Sequence, residues 1–187
     1  VLWLELKLIS DVGLVGYPNA GKSTLLTKLT QAHPKVASYP FTTLNPIVGT
    51  LEYEDFGRLK IADIPGLIDG AHEGVGLGHH FLRHIERARF LLFVLDMAGS
   101  DGREPLDDYL HLKEELTLHR EALATTPYAI VANKMDSPEA DEKLAVFERE
   151  IGEPIYAISA ELEEGLEPIK KHLYDHFFGR RFNSIDS

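Results

Sequence analysis

Residues 16–23 read GYPNAGKS, which fits the spacing G-x-x-x-x-G-K-[ST]. An apolar run over Leu8–Val15 leads into them, and a helix-forming run over Gly21–Thr30 follows. In that context the glycines let the backbone curl so that successive N–H groups face a phosphate chain, backed by a helix N-terminus. Lys22 would then reach the β- and γ-phosphates of a nucleotide, and the Ser23 hydroxyl would bind Mg²⁺. Residues 63–66 read DIPG at the end of another predicted strand, the edge where open α/β sheets take ligands. Asp63 can hold the same ion through water, and the Gly66 N–H can sense a γ-phosphate.

Residues 133–136, NKMD, follow the apolar stretch PYAIVA. The Asp136 carboxylate can accept both N1–H and the 2-amino group of guanine, a donor pair that adenine lacks. Asn133 would hold the loop and the far edge of the base, with the Lys134 stem across its ring face. Ser159 and Ala160 follow the strand-like PIYAI, where a backbone N–H can donate to guanine O6 and would clash with the amino group of adenine. Each short motif is common alone. Four of them in this order, each at a predicted strand end, describe a guanine-nucleotide site and disfavour an ATP-driven enzyme. The contact set expected is Gly16, Tyr17, Pro18, Asn19, Ala20, Gly21, Lys22, Ser23 and Thr24, then Phe41, Thr42 and Thr43. It continues with Asp63, Ile64, Pro65 and Gly66, and ends with Asn133, Lys134, Met135, Asp136, Ser159, Ala160 and Glu161.

The segment HPKVASYPFTTLNPIVG between the first helix and the second strand is long and has no clear period. Thr42 and Thr43 within it are candidate Mg²⁺ ligands, Thr43 preferred, since the ion needs a second hydroxyl. The plainer reading is a pair of β-branched residues entering a strand.

The elements that must position these loops alternate between strand and helix, which predicts an α/β layered P-loop fold. Strands are expected at Leu8–Val15, Ile47–Tyr53, Leu59–Ile64, FLLFVLD ending in Asp96, PYAIVANK and PIYAIS. Helices are expected at Gly21–Thr30, Val75–Arg87, Leu106–Leu123, Asp141–Ile151 and Leu166–Phe178. The second and third strands flank EDFG and should form an antiparallel hairpin. Six strands and five helices with no repeat or linker imply one domain over residues 1–187, a mostly parallel sheet with helices on both faces.

The 187 residues carry a formal charge of −11. So acidic a domain is a poor ligand for nucleic acid by itself, and the basic GRRF near the end is too small to reverse that. No cysteine is present, which excludes disulfides and thiolate chemistry and accords with the cytoplasm. The longest apolar run, Phe90–Leu95, falls well short of the roughly 20 residues of a membrane span. No signal peptide is expected at VLWLELKLI, and the initial valine reads as the start of a fragment. A monomer is expected.

GYPNAGKSTLL, YPFTTLNP, DIPGLIDGAHEGVGLGHHFLRHIERAR, NKMD and SAELEEGL together resemble the GTPase domain of the Obg family, over about Leu4–Phe178. The resemblance implies a Ras-like fold, slow Mg²⁺-dependent GTP hydrolysis, and a role in large ribosomal subunit assembly and growth control linked to guanosine tetraphosphate. It assigns an Mg²⁺ contact to Thr43, so the ion is expected at Ser23, Thr43 and Asp63, and catalysis at Lys22, Thr43, Gly66 and Asn19. Family members also carry a glycine-rich N-terminal domain and often a small C-terminal one, neither of which is expected here.

Leu67 stands where many GTPases place a water-orienting glutamine. Water must then be oriented by backbone groups, a partner or a bound cation. GTPases that pair an asparagine at the position of Asn19 with an apolar residue there often use K⁺. A competing view is a nucleotide sensor that no longer hydrolyses. Gly74, Gly76 and Gly78 mimic a dinucleotide fingerprint but follow no strand, and read better as freedom for a moving loop. His80 and His84 have metal-like spacing without a third ligand, and Glu161, Glu163 and Glu164 read as a solvated loop.

Overall fold

The structure, a computed structural model, describes residues 10–30, 33–36, 46–63, 88–119 and 125–179. Seven strands form one sheet: β1 (Val12–Val15), β2 (Lys35–Val36), β3 (Ile47–Glu52), β4 (Arg58–Asp63), β5 (Phe90–Asp96), β6 (Tyr128–Asn133) and β7 (Ile155–Ala157). Their order is β2-β3-β4-β1-β5-β6-β7. The five from β4 to β7 run parallel, so their carboxyl ends share one edge. Four helices lie among the described residues: α1 (Lys22–Leu29), α2 (Pro105–His119), α3 (Ala140–Glu150) and α4 (Leu166–Phe178).

The continuous apolar run of β5 is explained by its central place, since Phe90 to Leu95 are all buried. A strand covered on both faces needs no alternation. Its odd and even residues serve different cores. Leu91, Phe93 and Leu95 pack with Tyr109, Leu112 and Leu116 of α2 and Phe147 of α3. Phe90, Leu92 and Val94 pack with Leu25, Leu26 and Leu29 of α1 and Ile169 and Leu173 of α4. Helices therefore cover both faces.

The hairpin expected around EDFG is β3 and β4, antiparallel from Ile47 opposite Asp63 to Glu52 opposite Arg58. Its turn is closed by the Tyr53 N–H donating to Gly57 O at 2.9 Å, with Phe56 in a left-handed conformation. The seventh strand departs from the expected six. Lys35 and Val36 pair antiparallel with Val48 and Ile47 at the sheet edge, both exposed. Two residues with neither face buried leave no hydrophobic period to read. β1 begins at Val12, and the helix expected at Val75–Arg87 lies outside the described residues.

Candidate nucleotide-binding site

The turn after β1 lies against the centre of the sheet. A Cβ on Gly16 would stand 2.4 Å from the Val94 carbonyl oxygen, so only glycine lets the loop pass β5. Gly21 has φ 92°, and a Cβ there would meet the Asn133 side chain at 2.2 Å. Both glycines are required by contact, and the second also by backbone strain. Asn19 sits at φ 63°, a left-handed conformation that asparagine tolerates. Its side-chain amide donates to Asp101 Oδ2 at 3.3 Å. Pro18 and Asn19 are exposed, whereas Tyr17 and Ala20 point into the two cores.

Lys22 opens α1 and folds back over this loop, its Nζ donating to the carbonyls of Gly16 and Tyr17 at 2.8 and 2.9 Å. Ser23 follows, and its Oγ donates to Asp63 Oδ2 at 2.5 Å. Asp63 ends β4, beside β1, and is only 5% exposed. Its Oδ1 is buried without a hydrogen-bond partner. An orphaned carboxylate oxygen next to a hydroxyl is a hard-oxygen pair that fits Mg²⁺. No group of three or more His, Cys, Asp or Glu suited to a metal occurs among the described residues, so nothing here resembles an all-acidic cage.

The loops after β6 and β7 meet the phosphate loop through one side chain. Asn133 is 2% exposed; its Nδ2 donates to Ala20 O at 2.8 Å and its Oδ1 accepts the Ala160 N–H at 3.0 Å. Asp136 is exposed, and the buried Ser159 donates its hydroxyl to Asp136 Oδ1 at 2.6 Å. Ser159 and Glu164 exchange backbone hydrogen bonds at 3.0 and 3.1 Å, which closes the loop holding Ala160 and the exposed Glu161. Met135 packs partly buried against the α2–α3 core.

Lys134, at φ 66°, donates to Asp96 Oδ2 at 2.7 Å and to Ser100 Oγ at 2.9 Å. Burial alone would push the Asp96 carboxyl up. The hydrogen bonds from Lys134 and Ser100, with the lysine charge, bring it below the usual aspartate value. The end of β5 and the loop from it to α2 thus hold three of the expected site residues: Lys134 through Asp96 and Ser100, Asn19 through Asp101, and Tyr17 through Arg103. Sequence reasoning did not single out Asp96, Ser100, Asp101 or Arg103 as part of the site. Asp96 alone left a trace there, a carboxylate closing an apolar strand.

The structure thereby brings together Gly16 to Thr24, Asp63, Asn133 to Asp136 and Ser159 to Glu161 along one sheet edge. Phe41, Thr42, Thr43, Ile64, Pro65, Gly66, Leu67, the glycines 74, 76 and 78, His80 and His84 lie outside the described residues.

A mostly parallel sheet with these loops at its carboxyl edge is a P-loop GTPase domain of Ras-like fold. The G domain of the T. maritima FeoB iron transporter has the same fold, at TM-score 0.64 and 23% identity, over 88% of this chain and 96% of that one. A variant of Aquifex aeolicus Era, solved with GDP and AlF₄⁻, has TM-score 0.62 and 26% identity over 88% of this chain and 55% of its own. The chain belongs to the family described as 50S ribosome-binding GTPase, which matches residues 11–134. It is 52% identical over 183 residues to GTPase Obg of Akkermansia muciniphila, covering 97% of this chain and 52% of that protein. With GTPase Obg of Caldanaerobacter subterraneus subsp. tengcongensis it shares 55% over 169 residues, 89% of this chain and 40% of that protein. The chain thus spans about half or less of the length of these relatives, and their names accord with the resemblance read from the sequence.

Proposed function

We propose that residues 1–187 act as one GTPase domain, a switch that binds GTP and GDP and hydrolyses GTP slowly. The setting we propose is assembly of the large ribosomal subunit in the cytoplasm, as the family description and the Obg relatives suggest. The observation that carries the nucleotide reading is Asn133, which ties the phosphate loop at Ala20 to the Ala160 loop while Ser159 aims Asp136. A base held by Asp136 would then be in fixed register with phosphates held by residues 16–23.

In this reading the N–H groups of residues 19–23 and the Lys22 ammonium bind the β- and γ-phosphates. Ser23, Asp63 and Thr43 would hold Mg²⁺, which supplies positive charge against the phosphoryl oxygens. Thr43 and Gly66 sense the γ-phosphate and relax on its loss, which gives the switch its two states. Phe41, Ile64 and Pro65 would complete the nucleotide contacts. Asp136 selects guanine, and Lys134, braced by Asp96, covers the base.

Leu67 cannot orient the attacking water, so part of that chemistry would fall to a K⁺, which the Asn19 side chain would help to hold. A cation at that place would offset charge developing on the leaving oxygen, as an arginine finger does elsewhere. With its Nδ2 turned to Asp101, Asn19 keeps the oxygen available.

Displacement of a fluorescent GDP analogue tests the binding step. GTP and GDP should compete, and ATP should not at a hundredfold higher concentration. Equal competition by ATP would overturn the role given to Asp136. A sensor that binds without hydrolysis is the second reading, favoured by Leu67 alone.

A further inference from the structure

We propose that Arg103 is a positioning residue for the phosphate loop, acting through the buried ring of Tyr17. The inference rests on the nucleotide reading above. Tyr17 is the second residue of the loop and is 5% exposed, its ring packed in the core that holds Met97, Tyr109 and Leu112. The Arg103 guanidinium carbon stands 3.5 Å from the centre of that ring. Arg103 is itself held from below. Its Nε and one terminal nitrogen reach Asp108 Oδ1 at 2.9 and 2.7 Å, and Asp108 is 6% exposed on α2. A buried carboxylate, a guanidinium and an aromatic face are thus stacked in order. The ring and the carboxylate are buried, and the guanidinium between them is 34% exposed.

The backbone of Tyr17 makes this stack matter for phosphate. The Tyr17 carbonyl accepts from Lys22 Nζ at 2.9 Å and from the Ala20 N–H at 3.3 Å. Where the ring sits therefore sets where that carbonyl points, and with it both the lysine and the turn of the loop. The hydroxyl end is anchored as well, hydrogen-bonded to His111 Nδ1. His111 Nε2 in turn faces Glu115 at 3.7 Å. His111 of α2 and Arg103 just before that helix thus hold one side chain of the phosphate loop, backed by Glu115 and Asp108.

The test is the dissociation rate of a fluorescent GDP from the whole chain. Arg103→Met should release it about two- to fivefold faster, the equivalent of one partly exposed cation–ring contact. Tyr17→Leu should act similarly, and the double variant should be no faster than the faster single one. Arg103→Lys should restore part of the loss. The ³¹P resonance of the bound β-phosphate should shift in Arg103→Met, while the preference for GDP over ADP stays. Arg89→Met, which removes a guanidinium 5.2 Å from the Phe177 ring, serves as the control and should change nothing. If Arg103→Met proves too unstable to load, Arg103→Gln carries the same expectation. Wild-type release rates in the Arg103 and Tyr17 variants, or additive single effects, would overturn the inference. A wild-type chain that binds no GDP would sink the nucleotide reading itself.

Discussion

At the scale of the residue, the site divides into groups that act on the ligand and groups that aim them. The first were legible, because phosphate and guanine chemistry demand particular residue types at short spacing, as in GYPNAGKS and NKMD. The second were not. Asp96 meets Lys134 across 38 positions and Asp101 meets Asn19 across 82, contacts that exist only once β1, β5 and β6 are neighbours. Asp136→Asn should weaken GTP by about 2–5 kcal/mol and transfer preference to xanthosine triphosphate, as read by competition binding. Lys22→Ala should damage GDP and GTP binding alike, whereas Thr43→Ala should spare GDP; equal losses in the Thr43 variant would remove it as a γ-phosphate sensor. The Asp96 carboxyl is held below its ordinary value, so its pairing contributes stability above that value and loses it as pH falls through the lowered one. Thermal melts below pH 4 should therefore drop more steeply for the wild type than for Asp96→Asn.

Elements were read well where packing agrees with local pattern. The limits of α4, Leu166–Phe178, coincide with the expected helix, because Gly165 at φ 74° starts it and Leu166, Ile169 and Leu173 give a helical stripe. The apolar β5 and the EDFG hairpin were equally plain. β2 was missed because a two-residue exposed edge strand has no pattern of its own. α3 shows where stability resides: it buries Ala140 and Phe147, and Phe147 is 1% exposed against Tyr109. Phe147→Ala should cost about 3–5 kcal/mol in a denaturant melt. Since Phe147 carries no polar group of the site, the guanine preference of the folded fraction should be unchanged.

For the whole molecule, charge and topology pull apart two properties often joined. The chain belongs to a ribosome-binding family, yet its net charge of −11 opposes contact with an RNA surface. The isolated domain should therefore show no useful affinity for ribosomal RNA at physiological salt in a filter-binding assay. Tight binding that weakens steeply with salt would reveal a local basic face strong enough to outweigh the average. No helix among the described residues is long and apolar enough to cross a membrane.

The central claim is that this edge of the sheet cuts GTP as well as holding it. Single-turnover release of phosphate from preloaded GTP, with Mg²⁺ present and KCl or NaCl at equal ionic strength, addresses it directly. Release should be slow and faster in KCl by about 10²–10³, the usual worth of one electrostatic stabiliser, with the difference lost in Asn19→Ala. Equal rates in both salts would remove the cation. No phosphate released from a chain that demonstrably holds GTP would contradict the enzyme and leave a sensor.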